Sequence, residues 1–372
     1  MQTEPLSAAA AHAAFLARSR FGALDGVRCI AITGVLILHS PLSQIWGETS
    51  RLFTRGFLGV DLFFVLSGFL ITTLLLRERM RNGRISLRGF YWRRALRILP
   101  LYLLVITAIG AYYVLVKQEP GTGDLWPFYY VFLANFLTGH IPLLGPTWSL
   151  SVEEQYYLLW PLMLIVLSRR ALKGVVVAFA GGYTLAVMAG LGAWAWHPGP
   201  LAIKLTAMPY GAILLGSGLA LVIHGRRGFA RLWAVFGGRW ASVVLTVLLI
   251  AELALLPVSL LGWPLLVVHV TMTAWLGSLV LREDGPLMPL LTLRPVMRIG
   301  MVSYGIYLLH LSADYVAGAV VRRVLGAPEE ALLVYIPLYW GLAWLMAEIS
   351  FRFYESRFLA LRHKPAGHSA QR

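Results

Sequence analysis

Charge is scarce in this chain, and acid is scarcer than base. Of 372 residues only 13% are charged, with 17 Asp and Glu against 32 Lys and Arg, while 58% are hydrophobic. Mean hydropathy is +0.71. Soluble domains carry about twice that share of charge, so a soluble domain is excluded. There is one cysteine, Cys29, which rules out an internal disulfide framework and paired-cysteine metal chemistry. Residues 1–17 lack a positive cluster followed by an apolar core and a cleavage site, so no signal peptide is expected and the first span should be retained. Also missing are any repeat of about 20–50 residues and any long low-complexity linker. One membrane-embedded domain over 25–355 is therefore expected, flanked by tails at 1–24 and 356–372.

What the chain has in abundance is long apolar runs. A hydrocarbon core about 30 Å thick takes about 20 apolar helical residues to cross. Runs of this kind predict ten spans, near 27–46, 57–76, 98–116, 151–167, 174–195, 207–223, 241–257, 263–281, 299–320 and 331–350. The predicted fold is all-α, a polytopic transmembrane helical bundle. With the N-terminus cytoplasmic, the basic residues crowd the inner segments, and only Arg51, Arg55, Lys117, Lys204, Arg322 and Arg323 fall outside. The positive-inside rule then puts both termini in the cytoplasm and the protein in the cytoplasmic (inner) membrane. The net charge of +15 is dispersed among these short segments, so the lipid bilayer is an expected partner and nucleic acid is not.

An ionisable side chain within a span costs several kcal/mol unless it is paired or meets water, so each is a candidate. His39 follows Arg28 by eleven residues. Eleven steps of about 100° return within about 20° of the same helix face, about 16 Å further along the axis. Two readings of His39 stand: an interhelical hydrogen bond, or a general base, for which neutral imidazole is suited. Asp61 lies near the outer end of the second span, where it either orients His39 or bonds backbone donors, and the small residues Gly59, Ser67 and Gly68 favour close helix packing. Glu153 and Glu154 open the fourth span and point about 100° apart; capping and site roles both remain open. Arg94 and Arg97, at i and i+3, share a face and suit either anionic headgroups or one polyanionic ligand. The long loop 118–150 carries Trp126 and Trp148, fit for interface anchoring or for stacking a sugar. His310 lies within the ninth span near Tyr304 and Tyr307. His140, His197, His224, His363 and His368 lie in loops, boundaries and tail without metal-ligand spacing, so no bound metal is expected.

Taken in order, several of these stretches resemble the acyltransferase-3 family of integral membrane O-acyltransferases. They are Leu24-Asp25-Gly26-Val27-Arg28 leading to His39, Gly59-Val60-Asp61-Leu62-Phe63-Phe64-Val65-Leu66-Ser67-Gly68-Phe69, Arg94-x2-Arg97, Trp148-Ser149-Leu150-x-Val152-Glu153, and Ser303-Tyr304-Gly305-Ile306-Tyr307-Leu308-Leu309-His310. A looser match ends at Tyr354-Glu355, and Val27 and Cys29 replace the more usual Leu and Ala. The resemblance implies transfer of an acyl group, usually acetyl, from acyl-coenzyme A to a hydroxyl, commonly on a carbohydrate. It points to Arg28, His39, Arg94 and Arg97 as functional. No permanently bound cofactor is expected; acetyl-CoA or another acyl-CoA is the donor.

With the arginines on the inner side, donor binding falls to Arg28, Arg94 and Arg97, and catalysis to His39 with Glu153 or Asp61. Acceptor binding falls to Trp148, Ser149, Tyr304 and His310. No hydrolase-like domain follows the tenth span, so a built-in second transfer step is not expected. Two alternatives remain: acylation of a small molecule such as a macrolide, and a proton-coupled transporter or flippase using Asp61, Glu252, Asp314 and Glu348. Oligomeric state is not legible.

Overall fold

The structure, a computed structural model, describes residues 7–46, 51–327 and 330–363. Parts of the two expected tails, His368 among them, lie outside the described residues. Of the described residues 78% are helical. In order come α1 (Ala8–Ala17), α2 (Ala23–Leu38), α3 (Pro41–Trp46), α4 (Arg51–Thr54), α5 (Leu58–Asn82), α6 (Leu87–Ala111) and α7 (Thr122–Tyr130). Next are α8 (Thr147–Val166), α9 (Arg169–Met188), α10 (Gly211–Ile223), α11 (Arg226–Phe236), α12 (Ala241–Leu255) and α13 (Trp263–Leu281). The series ends with α14 (Met288–Leu291), α15 (Arg294–Met301), α16 (Ser303–Val324), α17 (Leu332–Ile349) and α18 (Ser356–Ala360). The described strands form one antiparallel pair, Ala195–Trp196 with Ile203–Lys204.

Each of the ten expected spans falls on a helix, but length and composition qualify fewer as crossings. Among the described residues six helices are long and apolar enough, and the pair Arg226–Phe236 with Ala241–Leu255, bent by 71°, makes up to seven. The protein is a multi-pass membrane protein. The first expected span, 27–46, is not one helix. Pro41 has no N–H to offer the Ile37 carbonyl and its ring would press against it, so α2 stops at Leu38. Ser40 Oγ donates to the Ile37 carbonyl at 2.8 Å, and Ser43 Oγ to that of Leu38 at 2.7 Å. Serine hydroxyls thus satisfy carbonyls that a continuing helix would have used.

The chain forms two compact units. The first runs to Ile85 and includes Phe132–Gly139 and Thr147–Ser303; the second holds Ser86–Val131, His140–Pro146 and the chain from Tyr304 onward. Within the first unit α5 is gripped on two opposite faces. A Cβ at Gly59 would lie 2.2 Å from the Ala31 carbonyl oxygen of α2, and one at Gly68 would lie 1.8 Å from the Ile213 carbonyl oxygen of α10. Nine residues separate the two glycines, about 180° of helix, so α2 and α10 pack on either side. Gly216 returns the α10 contact, since its Cβ would meet the Val65 carbonyl oxygen at 2.1 Å. Buried Arg55 closes the end of α12 by donating to the carbonyls of Glu252, Leu253, Leu256 and Pro257 at 2.6–3.0 Å, a cation where the helix dipole favours one.

The second unit is held largely by aromatic donors. Tyr102 OH donates to the Tyr129 carbonyl at 2.8 Å, Trp126 Nε1 to that of Ile106 at 3.0 Å, and Tyr304 OH to that of Ile98 at 2.7 Å. Pro100, inside α6, offers its own carbonyl to Tyr354 OH at 3.3 Å.

Replacing Gly216 by Val should wedge α10 from α5 and cost about 1–3 kcal/mol or more. Gly174→Ala, on α9 with nothing within 4 Å, should leave stability unchanged. Thermal unfolding of both purified variants in detergent checks the difference.

Candidate active site

His39 sits where α2 breaks. Its backbone N–H still bonds the Val35 carbonyl at 3.2 Å, while φ −90° and ψ 7° take it out of the helix. The residue is exposed at this helix end. Arg28, on the unbroken part of α2, is engaged with Asp25, which also accepts from Arg20 at 2.7 Å. Asp25 is buried in the first turn of α2, where an acid suits the helix N-terminus. Gly300 of α15 lets the Asp25 backbone approach to within 1.8 Å of where a Cβ would stand. The carboxylate between two guanidiniums therefore has a fixed position.

Asp61 lies seven residues before Gly68, within about 20° of the same face of α5. That face turns toward α10 and α13, about opposite the Gly59 face that meets α2. There Asp61 Oδ2 stands 3.4 Å from His269 Nε2 of α13. Both residues are buried, at 8% and 6% exposure, and the contact is electrostatic more than a well-aligned hydrogen bond. Sequence reasoning passes over His269, although the signal that marks His39 and His310, an imidazole within an apolar run, marks it too.

Glu153 reaches the flank of α5 between these faces and accepts from Ser67 Oγ at 2.8 Å. Trp160, seven residues on and so on the same face of α8, donates to Thr72 Oγ1 of α5 at 2.7 Å. These two bonds fix the rotation of α8. Trp148, in the first turn of α8, is exposed and lies edge-on to Phe64, while its neighbour Ser149 is buried. Gln155 donates to the Phe132 carbonyl at 2.7 Å and to Asn135 Oδ1 at 2.9 Å, tying the preceding loop to the helix.

The second unit holds the other candidates. Arg94 and Arg97 are half-buried one turn apart on α6. Glu355, in the π-helical turn Ser350–Glu355, lies beside Arg97 and accepts from Ser350 Oγ at 2.9 Å. Tyr304 and Tyr307 commit their hydroxyls to the carbonyls of Ile98 and Pro146. His310 is fully buried, with Nδ1 2.6 Å from the Tyr307 carbonyl oxygen. The acids of the carrier alternative all have protein partners: Glu252 accepts from Thr271 at 2.7 Å, Asp314 from Tyr335, and Glu348 from Arg352. Among the described residues no group of three or more His, Cys, Asp or Glu is placed to hold a metal.

A family model described as an acyltransferase domain matches residues 21–351. The chain belongs to the acyltransferase-3 family. The O-acetyltransferase OatA of Staphylococcus aureus (strain NCTC 8325 / PS 47) is 35% identical over 159 residues, 40% of this chain and 25% of that protein. A Staphylococcus aureus (strain COL) protein provisionally named an O-acetyltransferase is 36% identical over 157 residues, 39% of this chain and 24% of its own length. The chain thus spans about a quarter of the length of the relatives it matches. No solved structure matches it. The part matched to the acyltransferase-3 family takes in the candidates from Arg28 to His310 and stops before Glu355.

Removing either member of the Asp61–His269 pair leaves the other's polar atoms buried, a cost of about 1–3 kcal/mol. Asp61→Asn and His269→Leu should each destabilise, and the double variant should lose less than their sum, by about 0.5–3 kcal/mol. Chemical unfolding of the four proteins in detergent measures the coupling; additive losses would separate the two residues.

Proposed function

We propose that this chain is a multi-pass O-acyltransferase of the cytoplasmic membrane. It moves an acyl group, acetyl in the first instance, from acyl-coenzyme A to a hydroxyl of an envelope or exported carbohydrate. Ten spans with both termini cytoplasmic, and a catalytic domain over 25–355, complete the reading. Family membership and the O-acetyltransferase names of the relatives support it. The observation that carries it is the exposed position of His39 at the broken end of α2, where its imidazole meets a substrate hydroxyl.

His39 acts as general base. Its neutral ring takes the hydroxyl proton as the oxygen attacks the thioester carbonyl; the carbon–sulfur bond then breaks and the departing thiolate takes up a proton. Glu153 orients the ring or stabilises its charged form, because it reaches the flank of α5 while Asp61 faces α10 and α13. Asp61, held with His269, serves at one remove by fixing α5. Arg94 and Arg97, one turn apart on α6, attract the donor phosphates. Trp148, with its exposed ring, contacts the acceptor. A small-molecule acceptor would use the same chemistry.

His39→Ala should lower acetyl transfer about 10²–10⁴-fold with little change in unfolding temperature. Arg94→Ala should chiefly raise the KM for acetyl-CoA. Transfer of labelled acetyl from acetyl-CoA to bacterial envelope polysaccharide by protein in liposomes reads both. An undiminished rate in the His39 variant would overturn the assignment.

A further inference from the structure

In the first unit α9, α10, α11 and α13 pack around a groove of about 390 Å³. Of the residues that line it only Lys173 and Thr273 have polar side chains, and Thr273 Oγ1 is spent on the His269 carbonyl at 2.7 Å. The rest of the wall is aliphatic, aromatic or glycine. Its rim includes Val177 of α9 and Val270 of α13, 71% and 50% exposed. Both helices are long and apolar enough to cross the membrane, and α9 is the least buried of the six that are, so the groove faces lipid.

The helix contacts give the groove a direction. Gly211 of α10 neighbours His269 and Leu219 neighbours Gly277, so α10 and α13 run the same way. Gly218 meets Val176, and the Tyr210 ring lies 6.0 Å from that of Phe179, so α9 runs against them. Lys173 therefore stands level with Val222 and Leu281, at one end. The longest wall, from Val270 to Leu281 on α13, rises about 16 Å over eleven residues, close to half of a hydrocarbon core about 30 Å thick. The groove is as long as one leaflet is deep. A helix about 10 Å across and about 16 Å long would occupy about 1,300 Å³, over three times the space, whereas a single acyl chain is slim enough to enter.

The charged end fits the other half of such a ligand. Arg169 and Arg170 precede Lys173 by four and three positions and so neighbour it on the surface of α9. All three are exposed, and among the described residues no carboxylate pairs with them. A lysine lays its stem along apolar surface and carries its ammonium to the headgroup level, where cations attract anionic lipid.

We infer that the groove holds one acyl chain of an anionic phospholipid, with the headgroup phosphate on Lys173 and the charges of Arg169 and Arg170 beside it. The bound chain braces α9 against α10, the helix that grips α5.

Native mass spectrometry of purified full-length protein, released from micelles with equal amounts of phosphatidylglycerol and phosphatidylcholine of identical acyl chains, counts the retained lipid. Wild type should keep one phosphatidylglycerol, favoured about 10-fold or more, and Lys173→Gln should lower that preference about 5-fold. Ala274→Phe, which fills the groove from α13, should abolish retention. Val177→Phe, at an exposed rim position, repeats the filling test if Ala274→Phe does not fold. Lys204→Gln, an exposed cation on the strand Ile203–Lys204, should change nothing. Equal retention of the two lipids by wild type, or retention unchanged by Lys173→Gln, overturns the headgroup assignment and with it the proposal. Loss in Lys173→Gln with full retention in the filling variants leaves a basic surface alone and overturns the groove.

Discussion

The rest of the structure depends on one requirement: a polar group withdrawn from water in a lipid-embedded chain must find its partner inside the protein. The helices satisfy most of the backbone, and the exceptions organise the fold. Four carbonyls at the end of α12 are met by Arg55. Carbonyls on α6 take phenol or indole donors from Tyr304, Tyr354 and Trp126. At the break after α2, two serine hydroxyls cover the carbonyls that Pro41 leaves over. In each case a side chain does what water would do elsewhere, and its reach sets how the segments lie.

The same requirement explains how a helix break can place the side chain proposed as the base. A ring in the middle of a continuous helix is turned by that helix and crowded by its neighbours. Ending α2 one residue before His39 releases the ring from the helical register while Arg28, Gly26 and Ala31 stay in it. Ala31 is the residue against which Gly59 of α5 closes, and Gly26 is similarly tight, with the Leu291 carbonyl oxygen 2.3 Å from where its Cβ would stand. So α2 is rigid up to its last turn, and the imidazole stands at the end of a fixed rod.

Much of this was legible in the sequence. Apolar runs locate the long helices because burial in lipid demands length, and glycines and serines in the second span mark packing faces because only small residues let backbones touch. The sequence-level expectation for 27–46 missed the break, since hydropathy averages over Pro41 and reads an uninterrupted span; local hydrogen bonding by Ser40 and Ser43 decides it. Length likewise limits the crossings that composition alone can certify to six or seven. The partner of Asp61 was out of reach for another reason. A carboxylate seeks the nearest suitable group in space, and His269 lies more than two hundred positions away in sequence, on a helix whose rotation no local pattern reveals.

The distribution of acids carries the functional argument one step further. Asp25 is shared by Arg20 and Arg28, Asp61 faces His269, Glu252 is held by Thr271, Glu348 by Arg352, and Glu355 by Ser350 next to Arg97. With acid outnumbered by base 17 to 32, and the buried acids committed to such contacts, the protein cannot neutralise its arginines from its own side chains. Anions must come from outside, either headgroups at the surface or a ligand where guanidiniums converge. A proton-coupled carrier needs acids free to exchange protons along a path, whereas a transferase for a polyphosphate donor needs cations left over. The proposed transfer reaction draws on the second condition.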